Sequence, residues 1–493
     1  MLIKRPTRRQ ILSNLPTLLL ALGFLTYCLG ISALGLRRHA ALQTHAYDLG
    51  IFDQLVWSAA HGHGLYSSIL GWHFFGEHVS PILYLLAPLY WIFDDVRSLL
   101  VFQTLALASG AIPLWWLAKK HLQNPWLALL CALAYLAYHP LVYVNLYDFH
   151  EIALATPLLL FTFWYLDENR YWPFALCLLL AVLCKEEISE IVFILGLYCL
   201  IKRRQKLLGA GLMLAGLAIF ALDIWVIIPH FRGSDFAFVS RYAYLGDSVP
   251  AIIKTLMTRP GYVLEHLCTK TKLEYVLAVF GPVGFLSFLS PSHLLLALPT
   301  LAQNLLSDYQ PQISINFQYT APLTPFVFIA AVMGFKNLQG YLSTNWPVGR
   351  SRTLAMWIAT ALIVLLGLRY LADHPTLTYA KYLNPSKDAE RIIANLERIP
   401  AQASIAAQDS LVPYLSHRRQ IYLFSKKHQA EYIVLDSSLA KDKQSDAQYL
   451  NSVQDALRQG YAIIYQDRSL LILRKQVQGS TELPAEFMEH LNL

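Results

Sequence analysis

Apolar runs of helical length follow one another for most of the chain, and short polar islands break them. A bilayer core of about 30 Å is crossed by roughly 20 apolar residues in a helix. On that measure the pattern predicts eleven spans, at residues 11–36, 98–118, 126–146, 152–166, 171–184, 188–201, 207–228, 273–289, 294–306, 321–335 and 353–371. Residues 79–93 are also apolar, but counting them as a span inverts every later loop. With Pro81 and Pro88 they are expected to form a short helix lying on the outer membrane surface.

Beyond about residue 373 the pattern changes. Short β-rich runs (SIAAQ, IYLF, EYIVLD, YAIIYQ) alternate with helical spacing at Lys387 to Leu396 and Gln448 to Arg458, and Gln466 to Ser469 is the expected turn of a hairpin. The expectation is a mainly α, polytopic membrane domain over residues 1–372 followed by a small α/β domain over 373–493.

Composition supports this reading. Of 493 residues, 56% are hydrophobic and only 14% charged, against roughly 25% charged in soluble domains. The net charge of +7 is dispersed in clusters between apolar runs and not in one stripe, which argues against nucleic acid. Lys4 to Arg9, Lys119 and Lys120, Arg170, Lys202 to Lys206 and Lys336 to Arg352 all fall on one side when the spans alternate, and basic loops stay cytoplasmic. The N-terminus is then cytoplasmic, and the first long loop and the C-terminal domain are extracytoplasmic. The six cysteines form no C-x-x-C pair, so neither a disulfide scaffold nor a zinc site is indicated.

With that count, the polar islands reach one membrane face. They are Asp48 and Asp53 in YDLGIFDQ, Glu77 and His78 in GEHVSP, Asp148, His150 and Glu151 in YDFHE, and Lys185, Glu186 and Glu187 in KEE. Charged groups kept among apolar helices are costly, and they usually mark chemistry or transport. The plain alternative for Asp48 is an N-cap, for Asp148 interfacial capping, and for KEE a structural Lys/Glu pair. The helices flanking KEE are short, so this turn is expected to sit below the outer surface and to line a cavity. External Arg232 and Arg241 are candidates for an anionic head group. His61 and His63 have no complete ligand set, so no metal site is assigned; a divalent cation held by carboxylates stays open.

YDLGIFDQLVWSAAHG, HFFGEHVSPILYLLAPLYWIF, KEE and QYTAPLTPF together resemble the predicted membrane proteins of domain-of-unknown-function family 2079. More distantly, a first helix, an acidic first loop, a surface helix and a second acidic site two spans on resemble the GT-C glycosyltransferases. These include protein mannosyltransferases and aminoarabinose transferases, which use polyprenyl-phosphate-linked sugars. The resemblance implies a GT-C-like helical bundle in the bacterial plasma membrane. It implies Asp48 as general base, with Asp148 orienting the acceptor or sharing that role. It also implies substrate contacts from Glu77 and His78, and the polar residues Asp53, His150, Glu151, Lys185, Glu186, Glu187, Arg232, Arg241 and Tyr319 are further candidates for substrate contact. The implied partners are a polyprenyl-phosphate sugar and membrane lipid, with the acceptor open. A transporter or lipid flippase with a buried charged site is the alternative, although polar groups at one face and the lack of a repeat favour transfer chemistry.

Overall fold

The computed structural model describes residues 8–234, 237–345, 360–361, 374–424, 430–442 and 446–491. The expected span at 353–371 lies almost wholly outside these residues. The chain divides into two compact units. The first takes in residues 1–34, 75–82 and 101–381, and the second takes in 35–74, 83–100 and 382–493.

The first unit is helical. The helices of both units cited below are α1 (Arg8–Ala40), α2 (Ile51–Ala60), α3 (Ile82–Ile92), α4 (Arg97–Ser109), α5 (Ala111–Leu122), α6 (Pro125–Leu136), α7 (His139–Tyr147), α8 (Ala155–Asp167), α9 (Tyr171–Val182), α10 (Ile188–Ile201) and α11 (Lys206–Leu222), of which α2 and nearly all of α3 belong to the second unit. Among the described residues four stretches are long and apolar enough to cross a membrane: Asn14–Ala40, Arg97–Leu122, Pro125–Tyr147 and Lys206–Arg232. The expected count of eleven is therefore not reached on this criterion. Several of the other runs are shorter helices or are broken. Residues 273–289, for example, pass from a helix ending at Phe280 into two 3-10 turns, around Pro282 and the left-handed Gly284, because proline cannot donate to the preceding turn.

α10 and α11 pack closely. A Cβ on Gly216 would lie 2.7 Å from both Phe193 N and Ser189 O, so only glycine fits this crossing. The loop ends meet at the far end of α10 from KEE. Lys120 Nζ pairs with Asp167 and Glu168 at 2.7 and 2.6 Å, Lys336 Nζ is 3.1 Å from His121 Nδ1, and Arg203 donates to Asn169 at 2.6 Å. Among the described residues, the basic loops around Lys120 and Arg203 and the residue Lys336 thus adjoin one another, through His121 and the 167–169 turn, within this unit.

The second unit carries a five-stranded sheet. Strands β1 (Tyr66–Ser67) and β2 (Trp72–His73) form a small ladder of their own, and β3 (Ile405–Ala407), β4 (Ile421–Leu423), β5 (Tyr432–Asp436), β6 (Tyr461–Asp467) and β7 (Leu470–Lys475) form the sheet in the order β4-β3-β5-β7-β6. β3 runs parallel to β4 and β5, whereas β7 runs antiparallel to β5 and β6. The β6–β7 hairpin turns at Arg468 and Ser469, with Arg468 left-handed. The helices Lys387–Leu396 and Asp446–Arg458 accompany the sheet. A core of residues such as Leu435, Val453, Leu471 and Phe487 lies among these elements.

Residues from the first long loop belong to this unit and fasten to its sheet edge. Ser68 Oγ donates to Ile421 O at 2.7 Å and accepts from Ile421 N at 2.9 Å, and Gln54 Nε2 donates to Arg418 O at 3.1 Å. Asp409 accepts from His45 Nδ1 and Ala46 N, each at 3.0 Å. α3 has 11 residues, about 16 Å at 1.5 Å per residue, too short to span. Leu85, Trp91 and Ile92 on it are exposed, as expected of a helix lying on a membrane surface.

Candidate functional site

In the first unit, GEHVSP and KEE form one assembly. Leu183 O accepts from Ile82 N at 2.9 Å, which sets the two segments side by side. Glu186 then receives two donors from the other segment, His78 Nδ1 at 2.9 Å and Val79 N at 3.1 Å. Burial alone would raise the Glu186 pKa, yet the His78 contact prevails and holds it below the ordinary carboxylate range. The His78 ring stacks on Phe238 with 5.0 Å between centroids.

Glu77 is paired with Arg232, whose Nη1 lies 2.8 Å from Glu77 Oε2 and donates to Gly76 O at 3.2 Å. Gly76 has no alternative here, since a Cβ would come within 2.9 Å of Arg232 N. The Arg232 guanidinium is thus engaged by a carboxylate from the same segment.

Lys185 and Glu187 project differently. Among the described residues neither side chain makes a hydrogen bond or an ion pair, although Lys185 is only 7% exposed. The alternative reading of KEE, a structural Lys/Glu pair, finds no ion pair between these side chains among the described residues; Glu186 bonds to His78 instead. Burial pulls the Lys185 ammonium toward neutrality, but Glu187, Glu151 and Glu186 outweigh it and hold the pKa above the usual lysine value. Burial pushes the Glu187 carboxyl up, with Lys185 offsetting part of the rise.

These residues line a cavity of about 510 Å³. Its charged end holds His78, Lys185, Glu186, Glu187, Glu190 and Arg241, and its remaining walls are largely apolar, from residues such as Phe193, Leu217, Phe220, Ile252 and Leu298. The Arg241 side chain lies among three rings, 4.4 Å from the Phe238 centroid, 4.6 Å from Tyr309 and 5.4 Å from Tyr319. It donates to Gln312 Oε1 at 3.1 Å and has no carboxylate partner among the described residues. Tyr319 also lines the cavity. The KEE turn lines a cavity, as the short flanking helices predict.

The YDFHE island sits deeper in the same unit. Asp148 is the C-cap of α7 in a fully extended conformation and is completely buried. Gln103 secures this turn: its Nε2 donates to Asp148 O at 2.8 Å and its Oε1 accepts from His150 N at 2.8 Å. The His150 ring stacks on Tyr147 at 5.4 Å. Glu151 is 1% exposed, and neither of its carboxylate oxygens has a hydrogen-bond partner. Its charge acts on Lys185, which ties this island to the KEE turn.

Asp48 and Asp53 belong to the second unit. Helical geometry begins at Ala46 with a π turn, Ala46–Gly50, and α2 follows with Gly50 as its N-cap. Asp48 therefore lies inside the first turn and is not the N-cap that the sequence allowed; it remains partly exposed. Asp53 is fully buried. It accepts hydrogen bonds from Tyr90 OH, Ser416 Oγ and His417 Nε2, the last at 3.0 Å. His417 Nδ1 is 3.2 Å from Asp94 Oδ1. No surface of Asp53 is open to a ligand in this arrangement.

Sequence reasoning missed Glu190, Tyr242, Gln303 and Gln312 at the cavity, and Gln103 behind the Asp148 turn. Glu190 was within reach, since it stands three residues after Glu187 and so on the same helical face. The glutamines gave no signal, because their partners are distant in sequence. No group of three or more His, Cys, Asp or Glu residues is arranged to hold a metal ion among the described residues.

The model of a family described as "Predicted membrane protein (DUF2079)" matches residues 38–472. The chain belongs to this family. No curated protein matches it. Among solved structures, this DUF2079 protein is similar to ArnT from Cupriavidus metallidurans bound to undecaprenyl phosphate, with a TM-score of 0.54 and 12% identity over 94% of this chain and 98% of that one. The apo state of the same ArnT gives a TM-score of 0.48 and 13% identity over 92% of this chain and 98% of that one. At this identity the likeness concerns the fold alone.

Proposed function

We propose that this protein is a membrane glycosyltransferase that moves a sugar from a polyprenyl-phosphate-linked donor to an acceptor hydroxyl at the extracytoplasmic face. The observation that carries the reading is the amphiphilic cavity of the first unit. Its apolar walls suit an isoprenoid chain, and Lys185 and Arg241, two cations in no ion pair among the described residues, suit a phosphate. The fold shared with ArnT, crystallised with undecaprenyl phosphate, supports the same class of lipid.

The chemistry needs one proton acceptor and one stabilised leaving group. The acceptor oxygen attacks the anomeric carbon, the carbon–oxygen bond to phosphate breaks, and the bonding electrons leave with the lipid phosphate. Charge grows on that phosphate in the transition state, where Lys185 and Arg241 would stabilise it. Asp48 is the proposed base that takes the acceptor's proton. Its partial exposure in a helical first turn supports a role other than capping. The complete burial of Asp148 favours an orienting role for it over direct proton transfer, and Asp53 is assigned to holding the second unit together.

The test is Asp48→Asn in full-length purified protein, supplied with polyprenyl-phosphate sugar and assayed for its consumption. Loss of a positioned base lowers turnover by roughly 10² to 10⁴. Undiminished turnover would remove Asp48 from the mechanism.

A further inference from the structure

The cavity has an acidic side that phosphate binding leaves unused. Glu187 and Glu190 lie one turn apart at the start of α10, and both line the cavity. Glu190 Oε1 accepts from Gln303 Nε2 at 2.9 Å. Tyr242 OH donates to Gln303 O at 3.2 Å and accepts from Gln312 Nε2 at 3.1 Å, and Gln312 Oε1 in turn accepts from Arg241. A polar chain thus runs along the wall from the carboxylate to the guanidinium, while the Glu187 carboxylate makes no hydrogen bond or ion pair among the described residues.

Acidic side chains alone would say little. The independent observation is Lys185, more than nine-tenths buried and lining the same cavity, whose side chain makes no hydrogen bond and no ion pair among the described residues. Glu187, Glu151 and Glu186 help to keep it charged but none of them bonds to it, so its N–H donors are left for an oxyanion from outside the chain. If a phosphate takes that place, what extends from it toward Glu187 and Glu190 meets two carboxylates and a row of neutral polar groups. Such a surface accepts hydrogen bonds from hydroxyls and disfavours a further carboxylate, by repulsion where the glutamates are ionised and, where burial has neutralised one of them, by the cost of holding another ionised acid in the same buried place.

We propose, resting on the lipid-phosphate reading above, that Glu187 and Glu190 receive the hydroxyls of the donor sugar and restrict the donor to uncharged or cationic sugars, excluding uronic acids and other acidic sugars. Like charges held within a few ångströms away from bulk water cost enough to separate the two classes by about tenfold or more in affinity.

The experiment compares three ligands on full-length protein in lipid nanodiscs: bare polyprenyl phosphate, polyprenyl-phosphate glucose and polyprenyl-phosphate glucuronate. Wild type is expected to bind the glucosyl lipid at least about tenfold more tightly than the glucuronosyl lipid. In Glu187→Gln and Glu190→Gln, with bare polyprenyl phosphate as each variant's own reference, that ratio should fall toward one. Equal binding of the two glycolipids by wild type overturns the proposal, and so does an unchanged ratio in both variants. If a variant does not fold, the wild-type ratio alone decides. Failure of bare polyprenyl phosphate to bind is a separate result and removes the lipid-phosphate reading itself.

Discussion

Asp53 offers a sharp test of how the second unit is held together. Asp53→Asn keeps the shape of the side chain but removes its charge and turns an NH2 toward groups that are themselves donors. Three donors converge on this fully buried carboxylate, from Tyr90, Ser416 and His417. Hydrogen bonds to a charged group contribute about 1.5–3 kcal/mol each. The amide can still accept one or two of them, and His417 is 29% exposed, so its share belongs at the low end. The expected loss is about 3–5 kcal/mol, the range for breaking a buried pair. At about 1.4 kcal/mol per factor of ten, the opened population rises by roughly 10² to 10³ or more. Limited proteolysis of the full-length protein in nanodiscs reads that population when opening and closing are fast relative to cleavage. A cycle with His417→Gln should give a coupling of about 0.5–3 kcal/mol, because the two side chains touch. Cleavage of Asp53→Asn within threefold of wild type, or strictly additive variants, would refute this account of the network.

Three further outcomes follow from the same contacts. Burial opposes the charged form of His417, but Asp53, and after it Asp94 and Asp95, outweigh that and raise its pKa. Its stabilising contribution is therefore complete below about pH 6.5, the unperturbed histidine value, and is lost as pH rises through the raised one. Protease resistance of wild type should fall between pH 6 and pH 9, and His417→Gln should flatten that part of the profile. Lys185→Met removes one charge-assisted contact, so affinity for polyprenyl phosphate should drop by about tenfold to a hundredfold in a nanodisc binding assay; an unchanged affinity would take Lys185 out of the phosphate site. Gly216→Ala forces a methyl against Phe193 N and Ser189 O and should destabilise the protein by about 1–3 kcal/mol in detergent melting. Gly30→Ala, where nothing lies within 4 Å of the added carbon, is its control and should melt like wild type.

The alternation of apolar runs and polar islands was enough to show a helical membrane protein with a small C-terminal sheet, because hydrophobic periodicity is a local property. Lys387–Leu396 and the β6–β7 hairpin were legible for the same reason. The count of spans was not, since proline and glycine break runs such as 273–289 into short pieces whose pairing depends on neighbours. The islands could be named but their partners could not. That His78 and Val79 claim Glu186, leaving Lys185 for the cavity, depends on two segments over a hundred residues apart meeting at Ile82 and Leu183. The tertiary structure also decided that Asp53 is enclosed by Ser416 and His417 while Asp48 keeps an exposed face. Sequence fixes which charges the chain carries; only packing determines which are neutralised from within and which remain for a ligand, because the cost of burying a charge is settled by its neighbours in space.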